Sequence, residues 1–290
     1  MILLLGFFFF VLGLTIGSFL NVVIYRLNTK RSLGGRSACM SCQNKLHWYD
    51  LIPVVSFLWL GGRCRNCKTK ISMQYPLVEF TTGLVFALLF LKFQDIFLAD
   101  IQSFGIIYVY YATAFSLLVV IATYDLKHKI IPDMLSLIFG VLAFLGLFFF
   151  HNNFLDSSNP IVLYFQIPTV WEFLSGVFIA FPFAFFWFIS RGRWMGLGDA
   201  KLSLGIGWLL GISVALSGLV MAFWSGAVVG VTLVVLSRLD SARLARLDSA
   251  RLAKNGRINS MGMKSEIPFA PFLVLGTFLA FIFELNLFNF

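Results

Sequence analysis

The chain has 290 residues, of which 59% are hydrophobic, 17% aromatic and only 12% charged, with a formal net charge of +9. Soluble domains carry about 25% charged residues, so an ordinary soluble fold is excluded; the apolar residues come in blocks of about 20, enough to cross a bilayer core of roughly 30 Å as helices. The basic excess falls where the positive-inside rule puts it in a membrane protein, so no nucleic-acid partner is needed to explain it.

Apolar runs and their breakers predict helices near 2–25, 76–93, 105–123, 134–150, 171–190, 200–212, 214–236 and 268–288. The fold class is therefore all-α, a polytopic bundle of about eight transmembrane helices. The first run lacks the basic n-region and small-residue cleavage site of a signal peptide and is read as a retained span. Alternate threading puts segments 26–75, 124–133, 191–199 and 237–267 on one side. Every Lys and Arg lies there except Lys92 and, at a helix mouth, Lys201. That side is expected to be cytoplasmic, with both termini outside. The organisation expected is a first span over 1–25, a cytoplasmic subdomain over 26–75, and a transmembrane core over 76–290 with a cytoplasmic loop at 237–267.

All four cysteines lie in the first of these loops, as Cys39-Met-Ser-Cys42 and Cys64-Arg-Asn-Cys67. Two CxxC pairs at this separation read as a closed, structural zinc site, because each pair grips one side of a tetrahedral ion and four thiolates leave no open position. Disulfides fit poorly with a reducing cytoplasm, and a rubredoxin-like iron site is the other rival. The loop holds too little apolar surface to fold unaided, so metal binding energy is expected to fold it.

Two acids stand out because ionisable groups at membrane helix ends are costly and usually functional. Asp125 follows the apolar run Leu117–Tyr124 and precedes Lys127, His128, Lys129 and a turn at Ile131-Pro132-Asp133, where Pro132 stops the helix. Asp199 follows Gly196-Leu197-Gly198, whose two glycines let another backbone approach, and precedes Lys201 at the mouth of the sixth span. Two carboxylates that share a proton can hydrolyse a peptide, one as base toward water and one as acid toward the scissile group. The plainer readings are a helix N-cap for Asp199 and a solvated loop acid for Asp125. Asp133 is the rival to Asp125 as partner, with an N-cap role for the fourth span as its plain explanation. Gly205, Gly207 and Gly211 suit close helix packing. The octapeptide RLDSARLA is repeated at 238–253, where Leu239, Leu244, Leu247 and Leu252 suit a helix lying on anionic lipid.

Taken in order, GSFLNVVIYR (17–26), the paired CxxC knuckles, YPLVEFTTG (75–83), the Asp125–Asp133 segment, GLGDAKL (196–202) and IPFAPFL (267–273) resemble the type IV prepilin peptidases, relatives of the membrane-embedded GxGD aspartic proteases. The resemblance implies an inner-membrane enzyme that cleaves the basic leader of type IV prepilins or pseudopilins on the cytoplasmic side, with Asp125 and Asp199 as the catalytic pair. It also implies methylation of the new N-terminus with S-adenosylmethionine, an activity associated with the cysteine-bearing region, where Gly62 and Glu79 match the family pattern. Lys127 stands where relatives often carry a second acid. Glu79, Asp50 and lipid head groups are the candidate contacts for a basic leader. The reading from another class is a proton- or metal-coupled secondary transporter using the same two acids.

Overall fold

The computed structural model describes residues 1–29, 32, 34–35, 37–150, 165, 167–193, 195–248 and 268–288, with 237–248 described by backbone alone. The first helix, α1 (Ile2–Arg26), contains no proline and keeps its one basic residue for the last turn, where a cation complements the helix dipole. Its buried residues, Gly13, Gly17, Leu20, Asn21 and Ile24, recur every three or four positions and so line one face. That face packs on α3 (Gln74–Lys92). A Cβ at Gly13 would lie 2.8 Å from the Gly83 Cα, and one at Gly17 would lie 2.7 Å from the Glu79 Cα, so the two backbones meet where only hydrogen fits.

Between α1 and α3 the chain leaves the bundle, forms a 3-10 turn at Trp48–Leu51 and the short helix α2 (Val55–Trp59), and returns through the second cysteine pair. After α3 come the short α4 (Gln94–Ala99) and the long α5 (Ile101–His128). Asp100 caps α5. Hydrogen bonds from the Ser103 hydroxyl and from the Gln102 and Ser103 N–H groups hold its carboxyl below the usual range. At the other end Lys129 adopts the left-handed conformation (φ 55°) and donates its N–H to the Asp125 carbonyl at 2.7 Å. Pro132 then occupies the cap of α6 (Asp133–Gly146), so Asp133 is the first helical residue rather than the cap.

The last three helices are α7 (Val170–Ser190), α8 (Leu197–Asp248) and α9 (Ala270–Ile282). The two spans expected at 200–212 and 214–236 are one run with no loop between them, broken at Gly211 by φ 74° and ψ 170°. Only glycine visits that region readily, so Gly211 makes the break, whereas Gly205 and Gly207 make close packing. A Cβ at Gly205 would lie 2.7 Å from the Phe139 ring, and one at Gly207 2.6 Å from the Gly176 Cα. Among the described residues, the eight expected spans therefore appear as seven apolar helices. Five are long enough to cross a membrane: Ile2–Arg26, Gln74–Lys92, Ile101–His128, Val170–Ser190 and Leu197–Leu236; Asp133–Gly146 and Ala270–Ile282 are shorter. The chain is a multi-pass membrane protein. Helix persists through the first octapeptide and into the second, to Asp248, and the leucine pattern proposed there lies outside the described side chains.

Side-chain contacts show which helix ends share a face. Asn28 at the end of α1 donates to the Tyr124 hydroxyl of α5 at 3.1 Å, and Tyr25 stacks on Tyr75 at the start of α3 with 4.8 Å between centroids. At the far end Lys92 pairs with Glu284 beyond α9 at 2.7 Å. Antiparallel packing of α7 on α8 is held by Ser175 donating to the Gly207 carbonyl (2.9 Å) and the Trp208 indole N–H donating to the Phe173 carbonyl (3.0 Å). The C-terminal ends of α1, α5 and α7 and the N-terminal ends of α3, α6, α8 and α9 consequently collect at one face.

Candidate active site

The two cysteine pairs fold as near copies. In the first, Cys39 N–H donates to the Asn44 carbonyl (3.0 Å) and Gln43 N–H to the Cys39 carbonyl (2.9 Å); in the second, Cys64 N–H donates to the Thr69 carbonyl (2.9 Å) and Lys68 N–H to the Cys64 carbonyl (3.0 Å). Gln43 and Lys68, each one residue past its CxxC, both take positive φ (57° and 59°). All four Sγ atoms lie within 4.8 Å of one another, and Cys39 Sγ is 3.8 Å from Cys67 Sγ. A tetrahedral ion with metal–sulfur bonds of about 2.3 Å sets its ligands about 3.8 Å apart. The cysteines are free thiols rather than disulfides, and hydrogen bonds with the Thr69 side chain and backbone bring the Cys67 thiol down to about 6. The four can hold a metal ion.

Asp125 is buried at the end of α5, and Asp199 is half-buried in the first turn of α8. Helix α8 begins at Leu197, two residues before Asp199, so Asp199 is inside the helix and does not cap it. The carboxyl groups are close enough for their charges to interact. The Ala270 N–H at the start of α9 reaches the Asp125 carboxylate, a backbone donor that no side-chain pattern reveals. Gly198 explains how two segments so far apart in sequence are joined: a Cβ there would lie 2.8 Å from the Ile131 Cβ, so the Gly-Leu-Gly segment seats directly on the turn after Asp125. A Cβ at Gly196 would meet the Gly198 N at 3.9 Å, an ordinary contact.

Lys201 bonds to the Asp133 carboxylate at 2.6 Å, linking the mouths of α8 and α6. That pair is exposed, Asp133 at 78% of its side chain, and Asp133 is thereby separated from the buried acids. Asp133→Asn is expected to change stability by no more than about 1 kcal/mol, the upper range for an exposed ion pair, as read by thermal unfolding in detergent. The Lys127 ammonium lies 3.9 Å from the centre of the Tyr25 ring, directed to α1.

Glu79 is 7% exposed and accepts the Val54 N–H at 2.8 Å, with the Ser18 hydroxyl as a second donor. It ties the cysteine subdomain to the α1–α3 seam. Asp50 accepts both Arg65 Nε and Nη2 at 2.9 Å and is 5% exposed, so it too has a structural partner. Gly62 takes φ 66°, and its carbonyl accepts the Ile71 N–H at 2.8 Å, closing the second cysteine turn. Beside Glu79 the seam holds Asn21 Oδ1 and Gln74 Nε2, both buried without a hydrogen-bond partner. Asn21 lies within the GSFLNVVIYR run, but neither residue was singled out from sequence, since a polar side chain at a helix position does not announce its partner.

Known proteins resemble the chain on both sides of this geometry. The family described as Bacterial Peptidase A24 N-terminal domain matches residues 11–93, and the Type IV leader peptidase family matches residues 112–231. A protein of Myxococcus xanthus named Prepilin leader peptidase/N-methyltransferase is 35% identical over 79% of this chain and 63% of its own length. Proteins of the same name from Vibrio cholerae (32% identical, covering 70% of this chain and 77% of that protein) and Pseudomonas aeruginosa (29%, covering 93% and 88%) are also similar. No solved structure matches. The matches take in the cysteine loop and both acids, and the chain belongs to the type IV leader peptidase family.

Proposed function

We propose that this protein is a membrane aspartic endopeptidase that removes the leader of type IV prepilins or pseudopilins and methylates the N-terminus so exposed. The observation that carries the cleavage reading is that Asp125 and Asp199, acids from separate helices on one membrane face, lie near enough for their charges to interact, with Gly198 seated on the Ile131 turn that follows Asp125. One carboxylate takes a proton from water as it attacks the scissile carbonyl, and the other protonates the leaving amine. The Ala270 N–H orients Asp125, and the absence of a side chain at Gly196 lets an extended substrate segment approach the backbone at the mouth of α8. Pro132 and the Lys201–Asp133 pair act on position only, holding the α5–α6 turn against α8.

The substrate's apolar helix enters from the bilayer and its basic leader reaches the cytoplasmic face. The placement of nearly every Lys and Arg on this side supports that orientation, with the membrane taken as the bacterial inner membrane and both termini outside. The organisation that fits is a first span, a metal-folded loop over 26–75 and a peptidase core over 76–290. Zinc suits the four thiolates and their spacing. S-adenosylmethionine supplies an electrophilic methyl group when bound. The role of Gly62 and Glu79 in methylation is then to shape and anchor the cysteine loop. The transporter reading loses its ground, because the acids lie at one face rather than midway and the family is one of peptidases.

Mass spectrometry of a purified prepilin incubated with the protein tests both activities at once. Loss of the leader mass is expected without methyl donor, and one further methyl group with it. An intact prepilin under both conditions would refute the reading.

A further inference from the structure

The part of the cysteine subdomain that carries α2 is apolar on its outside. Residues 48–62 include one charged side chain, Asp50, and it is 5% exposed and paired with Arg65. The rest of the segment presents Trp48 (78% exposed), Leu51, Ile52, Val55, Leu58 and Trp59 (86% exposed). Tyr49, Ile52, Val55 and Trp59 line a single hollow of about 300 Å³ together with Arg65, so these side chains share one face. Soluble surfaces seldom leave so many large apolar groups uncovered side by side. We propose that this face is seated in the interface of the bilayer, on anionic phospholipid, which makes the cysteine subdomain a membrane-surface element rather than a lobe free in water.

The height of the segment along the bundle puts it there. Val54, in the middle of the segment, gives its N–H to the Glu79 carboxylate at 2.8 Å. Glu79 is the sixth residue of α3, about 7.5 Å along the helix axis from the first. Leu77 and Phe80, close to Glu79 in the same helix, are exposed, and on a membrane-spanning helix an exposed apolar surface meets lipid. The apolar face of 48–60 therefore adjoins a surface that the bilayer already covers. It lies near the level at which Tyr25 stacks on Tyr75, and Trp and Tyr gather at such interfaces because each joins an apolar ring to a polar tip.

The flanks of the segment supply the charge that lipid head groups complement. Lys45, Arg63, Arg65, Lys68 and Lys70 are all exposed, against the one paired acid. Basic residues beside an apolar, Trp-bearing face are the pattern that binds anionic lipid, the rings entering the head-group region and the cations holding phosphate. Arg65 places its Nε and Nη2 on Asp50 at 2.9 Å, and a guanidinium has five N–H donors in a fixed fork, so those remaining suit a phosphate at the edge of the hollow. A soluble partner would have to share this face with the head groups that the Val54–Glu79 bond brings alongside, whereas lipid needs no such accommodation.

The test uses the full-length, zinc-loaded protein labelled with fluorotryptophan, in nanodiscs that contain anionic phospholipid. Fluorine NMR signals of Trp48 and Trp59 are identified by their disappearance in Trp48→Phe and Trp59→Phe. Both signals are expected to be lost when the lipid carries a nitroxide near the glycerol end of an acyl chain, and to be retained with a water-soluble gadolinium chelate. Val55→Glu sets a charge in the hollow at a side chain that is exposed; it should reverse the result for Trp59 while zinc content stays unchanged. In nanodiscs of zwitterionic lipid alone, both signals should weaken when the chelate is added. Loss of either signal to the chelate in anionic nanodiscs would overturn the proposal. Retention with both probes would overturn it too, since a second copy or another protein would then cover the face. Equal shielding in zwitterionic nanodiscs would overturn the role given to the basic flanks.

Discussion

Asp199→Asn is expected to reduce leader cleavage by about 10²–10⁴-fold, the range for loss of one positioned proton-transfer group, while the protein still inserts and unfolds at nearly the wild-type temperature. Asn keeps the shape and hydrogen-bonding reach of the side chain but cannot exchange a proton. Asp199 accepts no helix-capping bond whose loss would weaken α8, and the Ser203 hydroxyl bonds to its backbone carbonyl at 2.7 Å, which the substitution leaves in place. Asp125→Asn should behave the same way, and the double variant should be little worse than either single one, because residues acting as a unit are not additive. Prepilin processing by mass spectrometry measures the first effect and thermal unfolding in detergent the second. Normal processing by either single variant would exclude a two-carboxylate mechanism, and a merely capping Asp199 would show itself as lost stability with retained turnover.

Removing the metal should have the other large effect, and on a different part of the molecule. Structural zinc contributes roughly 10–16 kcal/mol of apparent binding energy in small zinc-folded peptides, more than a short loop can replace by burial. Between its two bridges at Ala38–Lys45 and Arg63–Lys70 the cysteine subdomain buries little besides Cys64. A strong chelator, or Cys64→Ser, is therefore expected to abolish amide protection across residues 37–70 and methylation with it. Cleavage should persist at a reduced rate, since Asp125 and Asp199 stand on α5 and α8 and the subdomain reaches the bundle through the Val54–Glu79 bond. Hydrogen exchange read beside the two activities separates these outcomes. Unchanged protection after verified metal loss would contradict a metal-folded loop.

Much of this was legible because bilayer chemistry constrains sequence severely. Apolar runs of about 20 residues, the clustering of Lys and Arg, the doubled CxxC spacing and the rarity of intramembrane acids are composition-level signals, and each survives without knowing which helices touch. The sequence divides this run at 213 and gives Gly211 a packing role, whereas the break is at Gly211 itself, because a single residue at an unusual dihedral leaves no loop in the sequence to mark it.

What only the tertiary structure decided is pairing. Nothing in the local sequence distinguishes Asp125 from Asp133 as the neighbour of Asp199, since both are acids flanking one proline turn. Packing separates them: Gly198 seats on Ile131, Lys201 takes Asp133 outward to an exposed ion pair, and Asp125 stays buried against the Ala270 N–H. Likewise Glu79 carries no sign in its local sequence that the backbone N–H of Val54, 25 residues earlier, is its partner. Residue type and spacing announce what chemistry a chain can do, whereas the partner of each group is set by contacts between segments many residues apart, which no local pattern encodes.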